Sequence, residues 1–134
     1  MKRKHLSVKQ RMQLIDKFGG KCSACGKQHL TLFTDDVDQR AAIDHIIPLS
    51  RGGSNDESNL QLLCTPCNAA KRNMTMDEFL EYRWKQAESE RMIVDLFSEI
   101  PNLSDCFPKL IRNTSVVDKY NVVKVLHDYV QSGR

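Results

Sequence analysis

No apolar run in these 134 residues approaches the roughly 20 needed to cross a membrane as a helix. The basic start, Met1-Lys2-Arg3-Lys4-His5, leads into a polar stretch where a secretory signal would have its apolar centre. No internal repeat and no low-complexity segment interrupts the chain. Asp35, Asp36 and Asp38 crowd together without the glycine and closing glutamate of an EF-hand loop, and read as a solvated loop. Cysteine is sparse and odd in number, five in all, which with no signal ahead of it disfavours a disulfide framework. These absences leave a soluble, cytoplasmic, intracellular protein as the expectation. Its 40% hydrophobic content allows only a modest core, of the kind small chains supplement with a metal.

What is present is unevenly placed. Four of the cysteines form two Cys-x-x-Cys pairs, Cys22 with Cys25 and Cys64 with Cys67, the pattern of a tetrahedral thiolate zinc site. Cys106 stands apart, either a small buried apolar residue or an incidental thiol. The spacer between the pairs is longer than in a compact zinc ribbon, so a functional element is expected inside it. Charge is uneven too. The net charge is only +3, yet Lys2, Arg3, Lys4, Lys9, Arg11, Lys17 and Lys21 are opposed by Asp16 alone in the first 21 residues. Such a head suits a polyanionic partner, although a merely solvated tail has the same composition.

Local patterns give the elements. Ser7 and Gln10 have capping-box spacing ahead of a helix whose apolar stripe is Val8, Met12, Ile15 and Phe18, closed by Gly19-Gly20. Leu30, Leu32 and Phe33 suit a short strand. Ala41 to Ile47 reads as a strand stopped by Pro48, and residues 49–58 read as an exposed loop. Asn59 to Leu63 is the return strand, followed by a short helix over Pro66–Arg72. Thr75 and Glu78 repeat the capping-box spacing before one long amphipathic helix, or two with a break near Ser89. Pro101 and Pro108 bracket a loop or short turn, and a last helix starts at Ser115. The fold class is therefore α+β, a strand–loop–strand–helix core flanked by helices.

Inside the spacer lie Asp44-His45 with Pro48 after it, Gly52-Gly53, Asn59-Leu60, and Cys64-x-x-Cys67-Asn68-x-x-Lys71. Together, residues 22–71 resemble the HNH endonucleases, the ββα-metal (His-Me finger) nucleases, in their zinc-stapled form. The residues support that chemistry. His45 can accept a proton near neutral pH, and the Asp44 carboxylate suits a hard divalent cation. Neighbouring side chains on a strand point to opposite faces, so both reach one site only if the strand ends and bends there.

The resemblance implies His45 as general base, Asp44 and Asn68 as ligands of Mg²⁺ or Mn²⁺, and Asn59 as the residue that holds the loop and orients His45. Asn68 stands where the family often has histidine; an amide oxygen serves a hard ion but not a softer one. The resemblance further implies structural Zn²⁺ on Cys22, Cys25, Cys64 and Cys67. DNA, double-stranded, is the implied partner, cut to 5′-phosphate and 3′-hydroxyl ends in a prokaryotic or phage setting. Lys71 and Arg72, with Lys9 and Arg11 of the first helix, would grip its backbone. Residues 1–75 would be the nuclease core and 76–134 a helical extension for packing, DNA or partner contacts, or assembly as a homodimer.

Each residue also has a plainer use. Asp44 can brace the loop, His45 can be a satisfied buried histidine, Asn59 can cap a turn, and Asn68 can sit on an exposed helix face. The same scaffold without catalysis would be a zinc-stabilised module binding nucleic acid or protein. A toxin nuclease is a poorer fit, since the net charge is modest. His5, His29 and His127 fall outside the constellation. Trp84, with Tyr82 and Arg83, suits helix packing better than stacking on bases.

Overall fold

A computed structural model describes residues 2–133, apart from the side chains of Cys106 and Leu110. The expectation for Cys106 therefore lies outside the described residues. Two compact units divide the chain, Met1–Phe79 and Leu80–Arg134.

The first unit is built on a two-stranded antiparallel hairpin, β1 (Ala41–His45) and β2 (Leu60–Cys64). Register pairs Ala41 with Cys64, Ile43 with Leu62, Asp44 with Gln61 and His45 with Leu60. One face therefore carries Ile43, His45, Leu60 and Leu62, and the other Ala42, Asp44, Gln61 and Leu63. Helix α1 (Val8–Lys17) starts with the expected capping box: Gln10 N donates to Ser7 Oγ at 3.1 Å and Ser7 N to Gln10 Oε1 at 2.9 Å. Its apolar stripe is largely open. Val8 and Met12 stay exposed, and only Leu14 is buried. Val8, Met12 and Ile15 face an open groove of about 820 Å³, walled across from them by Leu30, Leu32 and Phe33, while Phe18 lies beside the first cysteine turn. Those three residues form no strand. A single parallel bridge, Thr31 to Arg40, replaces it.

Each outer edge of the hairpin accepts a hydrogen bond from another segment. On β2, Leu62 O accepts from Ser23 N at 2.9 Å, which seats the first cysteine turn there. On β1, Ile43 O accepts from Arg3 Nη2 at 3.3 Å. Helix α2 (Thr65–Lys71) follows β2 with a proline in its first turn, where a missing N–H costs nothing.

The loop from 46 to 59 is tightly closed. Asn59 Oδ1 accepts from Ile47 N at 2.9 Å, while Nδ2 donates to Ile47 O at 3.0 Å and Ser54 O at 2.8 Å. Gly53 fills the remaining space: a Cβ there would lie 1.8 Å from Ile47 O and 2.9 Å from Asn59 Nδ2. Both atoms are committed to the loop and cannot withdraw cheaply. Gly53→Ala should therefore destabilise by about 2–4 kcal/mol. A urea midpoint unchanged from wild type would contradict that.

Helix α3 (Met76–Glu99) runs unbroken, with its own capping box: Thr75 N donates to Glu78 Oε2 and Glu78 N to Thr75 Oγ1. Ser89 does not break it, because Ser89 Oγ donates back to Lys85 O at 2.7 Å. In the second unit α4 (Leu103–Leu110) stands where a loop or short turn was expected. Leu103, Phe107 and Ile111 recur at helical spacing and reach the core of Met92, Leu96, Phe107 and Val123, which outweighs Pro108 inside the helix. Helix α5 (Val116–Ser132) starts at its expected cap, Ser115. Trp84 is 54% exposed and packs tilted against Tyr120 at 5.6 Å. His127 Nε2 meets Asp95 Oδ2 at 3.1 Å.

Candidate active site

The two cysteine pairs meet. All four Sγ atoms lie within 4.8 Å of one another, and Cys25 Sγ is 3.8 Å from Cys64 Sγ. Tetrahedral zinc with Zn–S near 2.3 Å places its sulfurs about 3.8 Å apart, so the cluster fits that ion. Its electrostatics point the same way. Burial pushes the Cys22 thiol up, but backbone N–H groups of Cys25, Cys64 and Ala24 outweigh it and bring the group down to about 7. Burial pushes Cys64 up, and burial with the Cys64 side chain and the Cys22 charge pushes Cys67 up. Four thiolates cannot share this space without a cation.

Between the two cysteine pairs, Asp44 and His45 leave β1 on opposite faces. The ladder continues through His45, and the chain bends only at Ile46–Ile47. Asp44 turns towards α2, where Lys71 Nζ lies 2.9 Å from Oδ2 and Gln61 Nε2 donates to the same oxygen at 3.1 Å. Lys71 is fully buried and also donates to His45 O at 3.0 Å. It is thus a counter-ion to Asp44 and not a surface cation.

His45 is 7% exposed on the other face. Its Nε2 lies 3.0 Å from Asn55 Oδ1. Asn55 cannot be turned over: Oδ1 also accepts from Lys4 N at 3.2 Å, and Nδ2 donates to Lys2 O at 2.9 Å. Oδ1 is therefore the acceptor, Nε2 carries the hydrogen, and the tautomer assigned from this network leaves Nδ1 as the basic nitrogen. A cavity of about 30 Å³, enough for one water, lies between the ring, Asn55, Leu60 and Arg3 and Lys4 of the N-terminal arm.

This framework, a cysteine-clamped hairpin with Asp44-His45 at the end of its first strand and Asn68 on the helix after it, is the decisive observation. Residues 22–74 match the HNH endonuclease family. A comparison with curated proteins returned no match. The HNH segment thus covers the first cysteine turn, both strands, the loop and α2.

The remaining candidates are dispersed. The side-chain hydrogen bonds of Asn59 go to backbone at Ile47 and Ser54, so it holds the loop below His45 and not the ring itself. Asn68 is half-buried on α2, one turn before Lys71, beside Ala42 and Ile43. Arg72 is exposed and has a positive φ of 52°. Arg11 faces the β1 side with Asn68, whereas Lys9 lines the separate apolar groove. Among the described residues only the cysteine cluster gathers three or more metal-binding side chains. A hard cation at Asp44 would be offered Oδ1, because both contacts of the carboxylate fall on Oδ2.

Sequence reasoning missed Asn55 and Gln61, and had Arg3 only as one cation of the basic head. Only Gln61 carried a signal, a polar residue facing Asp44 in register.

The loop is also tied to the start of α3. Arg51 pairs with Glu78 through both nitrogens, Nη2 to Oε1 at 2.8 Å. The Arg51 hydrogen bonds, then that from Thr75 N, pull the Glu78 carboxyl down from 4.5 to about 2. A carboxyl depressed in the fold adds stability that is complete above about pH 4.5 and lost as pH falls towards 2. Arg51→Ala should flatten the fall in urea midpoint across that window. The pair is solvent-exposed, so the effect is small and shrinks in high salt.

Proposed function

We propose that the chain is a metal-dependent DNA endonuclease in which His45 is the general base. The observation that carries this reading is His45 itself: its Nε2 is held by Asn55 Oδ1, which leaves Nδ1 as the basic nitrogen, and the residue lines a water-sized cavity. Asp44 and His45 occupy opposite faces, so the place both can serve is the outer edge of β1, where Arg3 already meets Ile43 O. A phosphodiester laid along that edge would have His45 on one side and Asp44 with Asn68 on the other.

In the reaction His45 Nδ1 takes a proton from water as its oxygen bonds to phosphorus. The bond to the 3′ oxygen breaks, which leaves a 5′-phosphate and, after protonation, a 3′-hydroxyl. Asn55 keeps the ring in the correct tautomer, Asn59 keeps the loop closed beneath it, and Lys71 and Gln61 hold the Asp44 carboxylate. A Mg²⁺ or Mn²⁺ ion held by Asp44 and Asn68 would supply positive charge at the phosphate. Zinc on Cys22, Cys25, Cys64 and Cys67 would be structural. Arg11 and Arg72 have exposed side chains for duplex phosphates.

One observation favours a second reading, a scaffold that binds nucleic acid without cutting it. Asp44 is already neutralised by Lys71 at 2.9 Å, which lowers its attraction for a divalent ion. Supercoiled plasmid separates the two. Nicking that requires added Mg²⁺ or Mn²⁺ supports the endonuclease, and retention of plasmid with no nicking at any divalent concentration supports the binding module. Omitting Mg²⁺ is a better control than a chelator, which would also take zinc from the knuckle.

A further inference from the structure

We propose that the N-terminal arm, residues 2–6, is a preset wall of the substrate site, and that the cleft between it, the β1 edge, Arg11 and Asn68 takes the sugar–phosphate backbone of the nucleic acid. This deepens the nuclease reading and rests on it for the identity of the polyanion.

The cleft encloses about 390 Å³, within the roughly 300–1,000 Å³ of ligand clefts. Arg3, Lys4, His5 and Arg11 stand around it with Asn68, and no lining residue is acidic. Among the described residues none of Arg3, Lys4 and Arg11 is in an ion pair, whereas Lys17 of the same basic head is spent on Glu57 at 2.7 Å. Three unneutralised cations around a concave surface concentrate positive potential where a phosphate would lie.

A solvated tail would have the same composition but not the same anchoring. Lys4 N donates to Asn55 Oδ1, Asn55 Nδ2 donates to Lys2 O, and Arg3 Nη2 donates to Ile43 O. These contacts join residues 40 to 53 positions apart. They fix the arm's backbone, so less freedom is lost when its cations meet phosphate. Asn55 also bonds His45, so one amide places both the arm and the candidate base. The cleft and the small cavity beside His45 share Arg3, Lys4, Leu6 and Ile43 as lining, so backbone held in the first lies next to the second.

The test uses the full chain with zinc and a fluorescein-labelled 20-base-pair duplex, followed by anisotropy across a KCl series without Mg²⁺. The double variant Arg3→Ala with Lys4→Ala should weaken binding equally for unrelated duplex sequences. It should lower the slope of log Kd against log[salt] by about two, roughly 0.9 for each phosphate that is no longer neutralised. The variant Lys17→Ala with Lys21→Ala removes equal charge from the head outside the cleft and should leave the slope near wild type. An unchanged slope in the arm variant, or an equal fall in both variants, overturns the cleft. Zinc content and circular dichroism check that each variant is folded. Cleavage is not part of the readout. A chain that never nicks plasmid yet shows the slope change keeps the cleft and loses the catalytic reading, and one that nicks with an unchanged slope does the reverse.

Discussion

Denying metal to the cysteine cluster is expected to unfold Met1–Phe79. That unit has few means of holding itself together. Its sheet is two strands of five residues, and an isolated two-stranded hairpin is marginal at best. Three of the four sulfurs, those of Cys22, Cys64 and Cys67, belong to the buried core that closes around β2. Structural zinc in small domains contributes about 10–16 kcal/mol of apparent binding energy, comparable with or above the whole stability of a typical domain, about 5–15 kcal/mol. Without the ion, Cys64 and Cys67 must stay protonated in contact with Cys22, and the two halves of the knuckle lose their reason to meet. Cys67→Ser should therefore abolish stoichiometric zinc and the cooperative unfolding of this unit. The helices of the second unit have their own core around Leu96 and Phe107, so the loss of helical signal should be partial. The decisive measurement is amide dispersion by NMR with zinc quantified on the same sample. Native-like dispersion of residues 41–64 in metal-free Cys67→Ser would refute the stapling role.

How much of this was legible in the sequence depends on the range of the signal. The cysteine pairs, the capping boxes at Ser7 and Thr75 and the Gly52-Gly53 loop are local chemistry, and each lies where its spacing placed it. Pro48 was a weaker guide. It stops a strand, but the ladder had already ended at His45, and that difference decides which face each side chain takes. Lys71 read as a surface cation at a helix end, yet its burial depends on which face of α2 meets β1, a tertiary fact. Asn55 could not be found at all. Asparagine in a Ser-Gly-Asn loop is ordinary turn chemistry, and its three partners, Lys2, Lys4 and His45, are 10 to 53 residues away. The helix α4 was hidden by two prolines whose local signal outweighed a short apolar repeat.

His45→Ala is expected to lower Mg²⁺-dependent nicking about 10²- to 10⁴-fold, the usual contribution of a positioned general base, or about 3–5 kcal/mol of transition-state stabilisation. The substitution removes an imidazole from a site already lined by Asn55 and Leu60, on the face of β1 away from the Lys71–Asp44 pair. Zinc content, amide dispersion and duplex affinity should therefore stay near wild type, because the ring's hydrogen bond goes to Asn55 and not to a cysteine or an arm cation. Asn55→Ala should act in the same direction but less strongly. It leaves the base in place, frees its tautomer and releases Lys2 and Lys4 together. The two variants are distinguished by nitrogen NMR of the ring: wild type should show hydrogen on Nε2 and a bare Nδ1, and Asn55→Ala a mixture. If His45→Ala nicks at the wild-type rate while the knuckle is loaded, proton transfer lies elsewhere. The ring would then be a buried histidine satisfied by Asn55, and another group would activate the water.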